Sequence, residues 1–333
     1  MDQLFSELKE IVLKDLSKEK SSDSPRKTTK EKAKKDLKTG VEVEFDRPLV
    51  LKADLCYIVS AVIFENGKVL MMKEAKKSCR GLWYLPAGRL EKNESLIEGV
   101  KREVLEETGL HFEPTSLISV DNSRVLSWQR FNFTGNVTGG KLKTIKDEDK
   151  ESMEAGWFEP QEVFSRSLPL RAPDIIPHIK STLKWKEMKE RDPIYTSLPV
   201  PLPHERITIQ VVLVSCDGNN GIKICLDKEY SMGFLHCTPS TLFCSVYDTV
   251  YTILKRALGI DKVDYQLHGI ISIEHVGKPH GAADGACLTL LAEFIPTSQP
   301  KPSNPGRYFW LEADERLKSR IRQLLEKGCV KIV

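Results

Sequence analysis

The stretch from Gly88 to Leu110, GRLEKNESLIEGVKREVLEETGL, constrains this chain more than any other. Ser95 to Thr108 reads as a helix stopped by Gly109, because glycine readily takes the left-handed conformation that ends a helix. At 3.6 residues per turn, Leu96, Val100 and Val104 form one apolar stripe, while Glu103, Glu106 and Glu107 cluster within about 100° of arc on an adjacent face. Like charges at these spacings oppose the helix by roughly 0.2–0.5 kcal/mol per pair. Carboxylates in a last turn also face the negative end of the helix dipole. For stability alone the arrangement is poor.

A hard divalent cation removes that conflict. Mg²⁺ takes oxygen ligands in octahedral geometry and commonly bridges a few carboxylates to substrate phosphates. Arg102 is spaced to pair with Glu106 at i+4 or to reach back to Glu94, holding carboxylates in place without touching substrate. From charge pattern alone, an ordinary solvated acidic face is the alternative.

At 333 residues the chain is long for one core, and two domains are expected. The 50 Lys and Arg nearly balance the 47 Asp and Glu, so no electrostatic grip on nucleic acid runs along the whole molecule. No run approaches the ~18 apolar residues of a membrane span, and the acidic N-terminus is unlike a signal peptide. The expected setting is therefore soluble and cytoplasmic, with no membrane and no stable nucleic-acid partner. Eight cysteines without a CxxC pair or paired His spacing argue for reduced thiols rather than a zinc site.

Residues 4–16 place Leu4, Leu8, Ile11, Val12 and Leu16 at amphipathic helical spacing, suited to docking on the body or on a partner. Residues 17–38 follow with nine Lys or Arg against four acids. This basic tail fits a nuclear-targeting or nucleic-acid patch, but the lack of interleaved aromatics favours a solvated linker. The runs CYIVSAVIF and KVLMMKEA, separated by Asn66-Gly67, predict an antiparallel hairpin. Strands near 116–120, 126–134 and 153–158 and a helix from Asp174 to about Glu190 complete the first half. The alternating prolines of LPVPLPH mark an extended connector. The expected divisions are a helix and tail at 1–40, a catalytic domain at 41–195, the connector at 196–204 and a second domain at 205–333. The second domain carries strands at 207–214, 222–226, 267–274 and 286–295, and helices at 245–258 and 315–327.

Gly88, Glu94, Arg102, Glu103, Val104, Glu106, Glu107, Gly109 and Leu110 fit every fixed position of the pattern Gx5Ex7REUxEExGU, U being aliphatic, and LWYLPAG precedes it. The segment resembles the signature of the Nudix hydrolases. That resemblance implies an α/β/α sandwich of Nudix type, with a mixed sheet between helices, and hydrolysis of a diphosphate linked to another group with Mg²⁺, or Mn²⁺ as a substitute. Carried over by position, it implies Glu103, Glu106 and Glu107 as metal ligands, a backbone carbonyl at Ala87 or Gly88 as another, and Glu94 and Arg102 as supports. One carboxylate takes the proton of the attacking water, and the resemblance does not say which. Many relatives add an acid shortly before a Trp-Phe strand, and DEDKESMEAGWF offers Glu151 first and Glu154 second. Ala87 stands where many members have Gly, a change that a carbonyl ligand survives.

For the substrate, aromatics are the natural platform for a nucleobase. Trp83, Tyr84, Trp128, Phe131 and Phe133 are candidates, Trp83 and Phe131 foremost, with Leu70 and Met72 on one face of KVLMMK as a possible pocket lining; core packing is the alternative for each. KEAKKSCRGLWYLPAGRLE with TGGKLKT and LRAPDII resembles the two-part eukaryotic Nudix enzymes acting on 8-oxo-guanine nucleoside diphosphates, which implies such a diphosphate as substrate. The rivals are another diphosphate (ADP-ribose, a dinucleotide or an RNA cap) and a nucleotide-binding module without catalysis. The second half repeats the order of the first. At an offset of 150, Gly259 and Ile260 fall on Gly109 and Leu110, whereas Ile253, Arg256 and Ala257 fall on the three glutamates. A degenerate Nudix-like domain without metal carboxylates is therefore expected, the alternative being an unrelated α/β domain.

Overall fold

The computed structural model describes residues 7–10, 12–14, 47–122, 128–191, 197–217, 221–230, 233–238, 245–260, 263–295, 302–327 and 329–332. The basic stretch at 17–38, the expected strand start at 126 and the first residue of the connector at 196 lie outside them. Residues 7–10 and 12–14 are helical and are called α1. Of the amphipathic set, Leu8 and Val12 fall within the described residues, and both are fully buried among Val212, Ile271, Leu317 and Ile321 of the second half.

The first half runs β1 (Cys56–Ala61), β2 (Phe64–Glu65), β3 (Lys68–Glu74), β4 (Trp83–Tyr84), β5 (Ala87–Arg89), α2 (Leu96–Thr108), β6 (Leu110–Asn122), β7 (Trp128–Gly140), β8 (Ser152–Phe158), α3 (Pro160–Phe164) and α4 (Ile175–Arg191). Asn66 and Gly67 both adopt positive φ, 50° and 81°, as a two-residue hairpin turn with the twist of its strands requires. The hairpin is shorter than the apolar runs suggest. Only β2 pairs with β3 there, while β1 lies parallel to β7 and antiparallel to β5 in a different sheet. The run divides at Val62, whose N–H goes to the Phe133 carbonyl, and Val59 to Ile63 are all buried, so alternation cannot show the division.

β6 and β7 are each 13 residues, longer than expected from Pro114, Gly135, Gly139 and Gly140. Register shifts at His111/Phe112, Pro114/Ser116 and Leu117/Ser119 absorb these residues as bulges. Helix α2 packs its stripe of Leu96, Val100 and Val104 in one core cluster with Val59, Leu90 and Phe133, and α4 places Ile175 and Ile179 in another with Val62, Val69 and Met71. Mixed sheets between helices, the expected fold class, are thus what forms.

The second half runs β9 (Thr208–Cys216), β10 (Ile222–Asp227), β11 (Leu235–Cys237), α5 (Val246–Leu258), β12 (Tyr265–Glu274), β13 (Cys287–Phe294), β14 (Tyr308–Glu312), α6 (Glu315–Lys327) and β15 (Lys331–Ile332). Its pairing repeats the first half. β13 is parallel to β9 as β7 is to β1, β12 is antiparallel to β13 as β6 is to β7, and β11 is antiparallel to β9 as β5 is to β1. Helices α2 and α5 keep the offset of 150, from N-caps Ser95 and Ser245 to left-handed glycines 109 and 259. One difference stands out: β10 joins β9 directly, whereas β3 belongs to a separate sheet from β1.

The halves share one core. Tyr57, Val59 and Phe131 belong to the same buried cluster as Ile209, Val211, Leu258 and Leu290, and β15 pairs in parallel with β6, Lys331 opposite Ser119. A loop before β13 also grips the start of α2, where Lys278 Nζ meets Glu98 Oε1 at 2.6 Å and the His280 N–H donates to Asn93 Oδ1 at 2.7 Å.

Candidate active site

A cleft of about 730 Å³ opens over α2 and β5. Its floor holds Ala87, Gly88, Arg102, Glu103, Glu106 and Glu107; Tyr84, Arg130 and Ile58 form a wall, and Lys76, Lys150, Glu151 and Arg171 stand at the rim. The helix that presents the carboxylates begins in a capping box. Ser95 Oγ accepts from the Glu98 N–H, and Glu98 Oε2 accepts from the Ser95 N–H at 2.8 Å.

Arg102 organises the acids. All five of its N–H donors are used: Nε and Nη2 fork onto Glu94 at 2.8 and 2.9 Å, Nη1 reaches Glu103 at 2.7 Å and Glu106 at 3.1 Å, and Nη2 also donates to the Arg89 carbonyl. Both pairings expected for Arg102 occur at once, and Glu94 additionally accepts the Glu91 N–H. Glu103 and Glu107 are buried, whereas the Glu106 side chain is 46% exposed.

Burial pushes the Glu103 carboxyl above the ordinary range; Arg102 opposes this, and Glu106 and Glu151 add to it. Glu107 is pushed much further, first by burial and then by the charge of Glu103, against a 2.8 Å hydrogen bond from the Ala87 N–H. Two buried like charges in one cleft are costly unless a cation shares them. A Cβ on Gly88 would lie 2.1 Å from Cδ of Glu103, so the absence of a side chain at 88 is what lets that carboxylate lie against β5. Hard oxygen donors around an open cleft fit a divalent ion that keeps coordination positions for substrate phosphates.

Of the two later acids, Glu151 lines this cleft, while Glu154 lies opposite Lys73 in the β3–β8 pair and bonds it at 3.0 Å. The expected substrate residues are placed differently. Leu70, Met72 and Phe131 are fully buried in the core, and Trp83 is buried edge-on against Phe158 with ring centroids 4.6 Å apart; none lines the cleft. The reason is strand alternation. On β7 the apolar Phe131 and Phe133 face the core, which turns Arg130 to the other side. The two faces of β3 are both covered, so its apolar side chains have no cleft to line.

Tyr84 and Trp128 are the aromatic candidates that reach a cavity. Trp128 bounds a second cavity of about 730 Å³, next to the first and sharing Ile58, Arg89 and Glu91 with it. Sequence reasoning passed over the cationic wall. Arg130 Nε bonds Asp121 at 2.6 Å, and its Nη1 reaches Asp174 and the Tyr84 hydroxyl, each at 2.8 Å. Arg171 lies over the Tyr84 ring and bonds Glu74 at 2.6 Å. The available signal was the period-2 pattern Arg130, Asn132, Thr134 along β7.

Fold and cleft together define a class: hydrolases of phosphate anhydrides that work with a divalent metal on a helix of glutamates. The chain belongs to the Nudix hydrolase family. Residues 55–179 match the model described as NUDIX domain. The "8-oxo-dGDP phosphatase NUDT18" of Mus musculus is 34% identical, covering 85% of this chain and 88% of its own length. The protein of the same name from Danio rerio is 31% identical, covering 92% and 98%. Among solved structures, a NUDIX hydrolase from Nitrosomonas europaea is 30% identical, covering 40% of this chain and 91% of its own, with a TM-score of 0.35. Among the described residues no helix is long and apolar enough to cross a membrane.

Proposed function

We propose that this hydrolase converts nucleoside diphosphates carrying oxidised guanine, 8-oxo-dGDP and 8-oxo-GDP, to the monophosphate and inorganic phosphate, clearing them from the nucleotide pool. The observation that carries the substrate class is the likeness to 8-oxo-dGDP phosphatases over both halves of the chain, 85–92% of its length. The buried, like-charged pair Glu103 and Glu107 supports the chemistry.

Glu103, Glu106 and Glu107, with the backbone of Ala87 and Gly88, are the residues to hold the ion, Mg²⁺ for preference and Mn²⁺ as a substitute. When bound, such an ion offsets phosphate charge and makes water more acidic. The protein supplies the rest. Lys76, Lys150 and Arg171 at the rim attract and orient the diphosphate. Arg102 and Glu94 fix the carboxylate rotamers. Glu103 and Glu106 accept from Arg102 and Glu107 from a backbone N–H, whereas the Glu151 carboxylate has Lys150 Nζ only at 3.8 Å. Its carboxylate oxygen is therefore the one we assign to accept the proton of the attacking water.

The described cysteines are free thiols, which suits a reducing compartment, and we place the enzyme in the cytoplasm. The test is phosphate release from 8-oxo-dGDP, dGDP, ADP-ribose, a dinucleotide and capped RNA with each metal. The highest kcat/KM for 8-oxo-dGDP, with inorganic phosphate as product, is expected; preference for ADP-ribose overturns the substrate assignment.

A further inference from the structure

Outside the lining of the glutamate cleft, the connector and two strands of the second half bring unlike donors together. His204 comes from the connector, Glu274 from the end of β12 and Cys287 from the start of β13. One ligand atom from each lies within 4.8 Å of the others. Glu274 and Cys287 are buried, while the His204 side chain is 24% exposed and offers a way in from solvent. His204 Nε2 already stands 2.8 Å from Glu274 Oε2.

We propose that His204, Glu274 and Cys287 form a second metal site, for a soft or borderline divalent ion of the zinc type, separate from the glutamate cleft. The donor chemistry discriminates between the two. Imidazole, thiolate and carboxylate together suit Zn²⁺, whereas an all-oxygen cleft suits Mg²⁺. Charge balances as well, since one thiolate and one carboxylate neutralise a divalent ion and the imidazole binds neutral. A cation is already drawn to this place: Lys9 Nζ of α1 is 3.4 Å from Glu274 Oε1.

Coordination replaces the Cys287 S–H bond by a sulfur–metal bond, and the thiol proton passes to solvent. Because a thiol must lose its proton to ligate, binding strengthens as pH rises. The site would clip the connector to two strands that are 70 and 83 residues away in sequence, by the residue numbers themselves.

The test uses the full chain, stripped with chelator and titrated with Co²⁺. A thiolate-to-cobalt charge-transfer band is the readout, because the carboxylate cleft cannot produce one. One equivalent of Co²⁺ per chain should raise the band, Zn²⁺ should bleach it, and Glu107→Gln should leave it intact. Cys287→Ser should lose it. His204→Gln, at a position outside the buried core clusters, should weaken Co²⁺ binding while Mg²⁺-dependent hydrolysis stays unchanged. Absence of the band in the wild-type chain, or a band unaltered by Cys287→Ser, would overturn the proposal.

Discussion

Glu107 is where burial and charge are most opposed, since its buried carboxyl sits beside Glu103 and only the Ala87 N–H and the charge of Lys76 work against that. Removing that charge leaves the apolar stripe of α2 alone. Glu107→Gln is therefore expected to cut kcat by at least about 10²-fold, while the metal-free protein melts no lower than wild type. Near-wild-type turnover by the folded variant would remove Glu107 from the site. Asp121 behaves in the opposite sense. Burial raises its pKa, but His178 and Arg130 lower it further, leaving it below the ordinary carboxylate value. The sign follows from linkage: the unfolded chain takes up this proton first, so the stabilisation is complete above about pH 4 and disappears as pH falls through the lower folded value. Asp121→Asn should cost roughly 1–3 kcal/mol at pH 7, with its melting curve converging on wild type in acid. A constant gap from pH 7 to pH 3 would show that Asp121 contributes by packing and not by charge.

Among the elements, α2 was legible almost to the residue, because its cap, stripe and stop are all local. β1 and the first hairpin were not. An apolar run from Cys56 to Phe64 contains nothing to say that its two ends enter different sheets, a choice made by Phe133 and Pro86 carbonyls that accept from Val62 and Ala61. The α1 helix was legible in its spacing but not in its partner. It docks on the second half through Leu8 and Val12, with Glu7 bonded to Arg320 at 3.0 Å. Burying two such side chains contributes roughly 1.5–3 kcal/mol each, as an upper bound. Deletion of residues 1–16 should thus lower the melting temperature by several degrees and leave kcat for the nucleotide unchanged. A truncated chain that melts like wild type would show that α1 is not held to the body in solution.

For the whole molecule, the question is whether the second half is cargo or support. The shared cluster, the β15–β6 pair and the Lys278–Glu98 contact all point to support. Burial alone would raise the Glu98 carboxyl, yet Lys278 and the capping hydrogen bonds draw it down to about 2, so the contact engages the same residue that starts the glutamate helix. An isolated 41–195 fragment should expose the face of Tyr57 that meets His275, melt lower than the full chain and lose part of its turnover. Calorimetry and a phosphate-release assay on that fragment decide the matter. A monomeric fragment with unchanged melting temperature and full activity would make the C-terminal half an independent module.

The sequence by itself determined the glutamate helix, its glycine stop, the repeat at an offset of 150 and the loss of carboxylates at Ile253, Arg256 and Ala257. These depend on neighbours within a few turns, or on comparison of one segment with another. Tertiary structure alone decided which side chains face the cleft. Phe131 looked suited to a base and went to the core, while Arg130 beside it reached the cleft, because the face a strand turns inward depends on what packs there. It alone also gathered His204, Glu274 and Cys287. Their spacing matches no metal pattern, since the connector and two strand ends meet only once the β9–β13 sheet has formed.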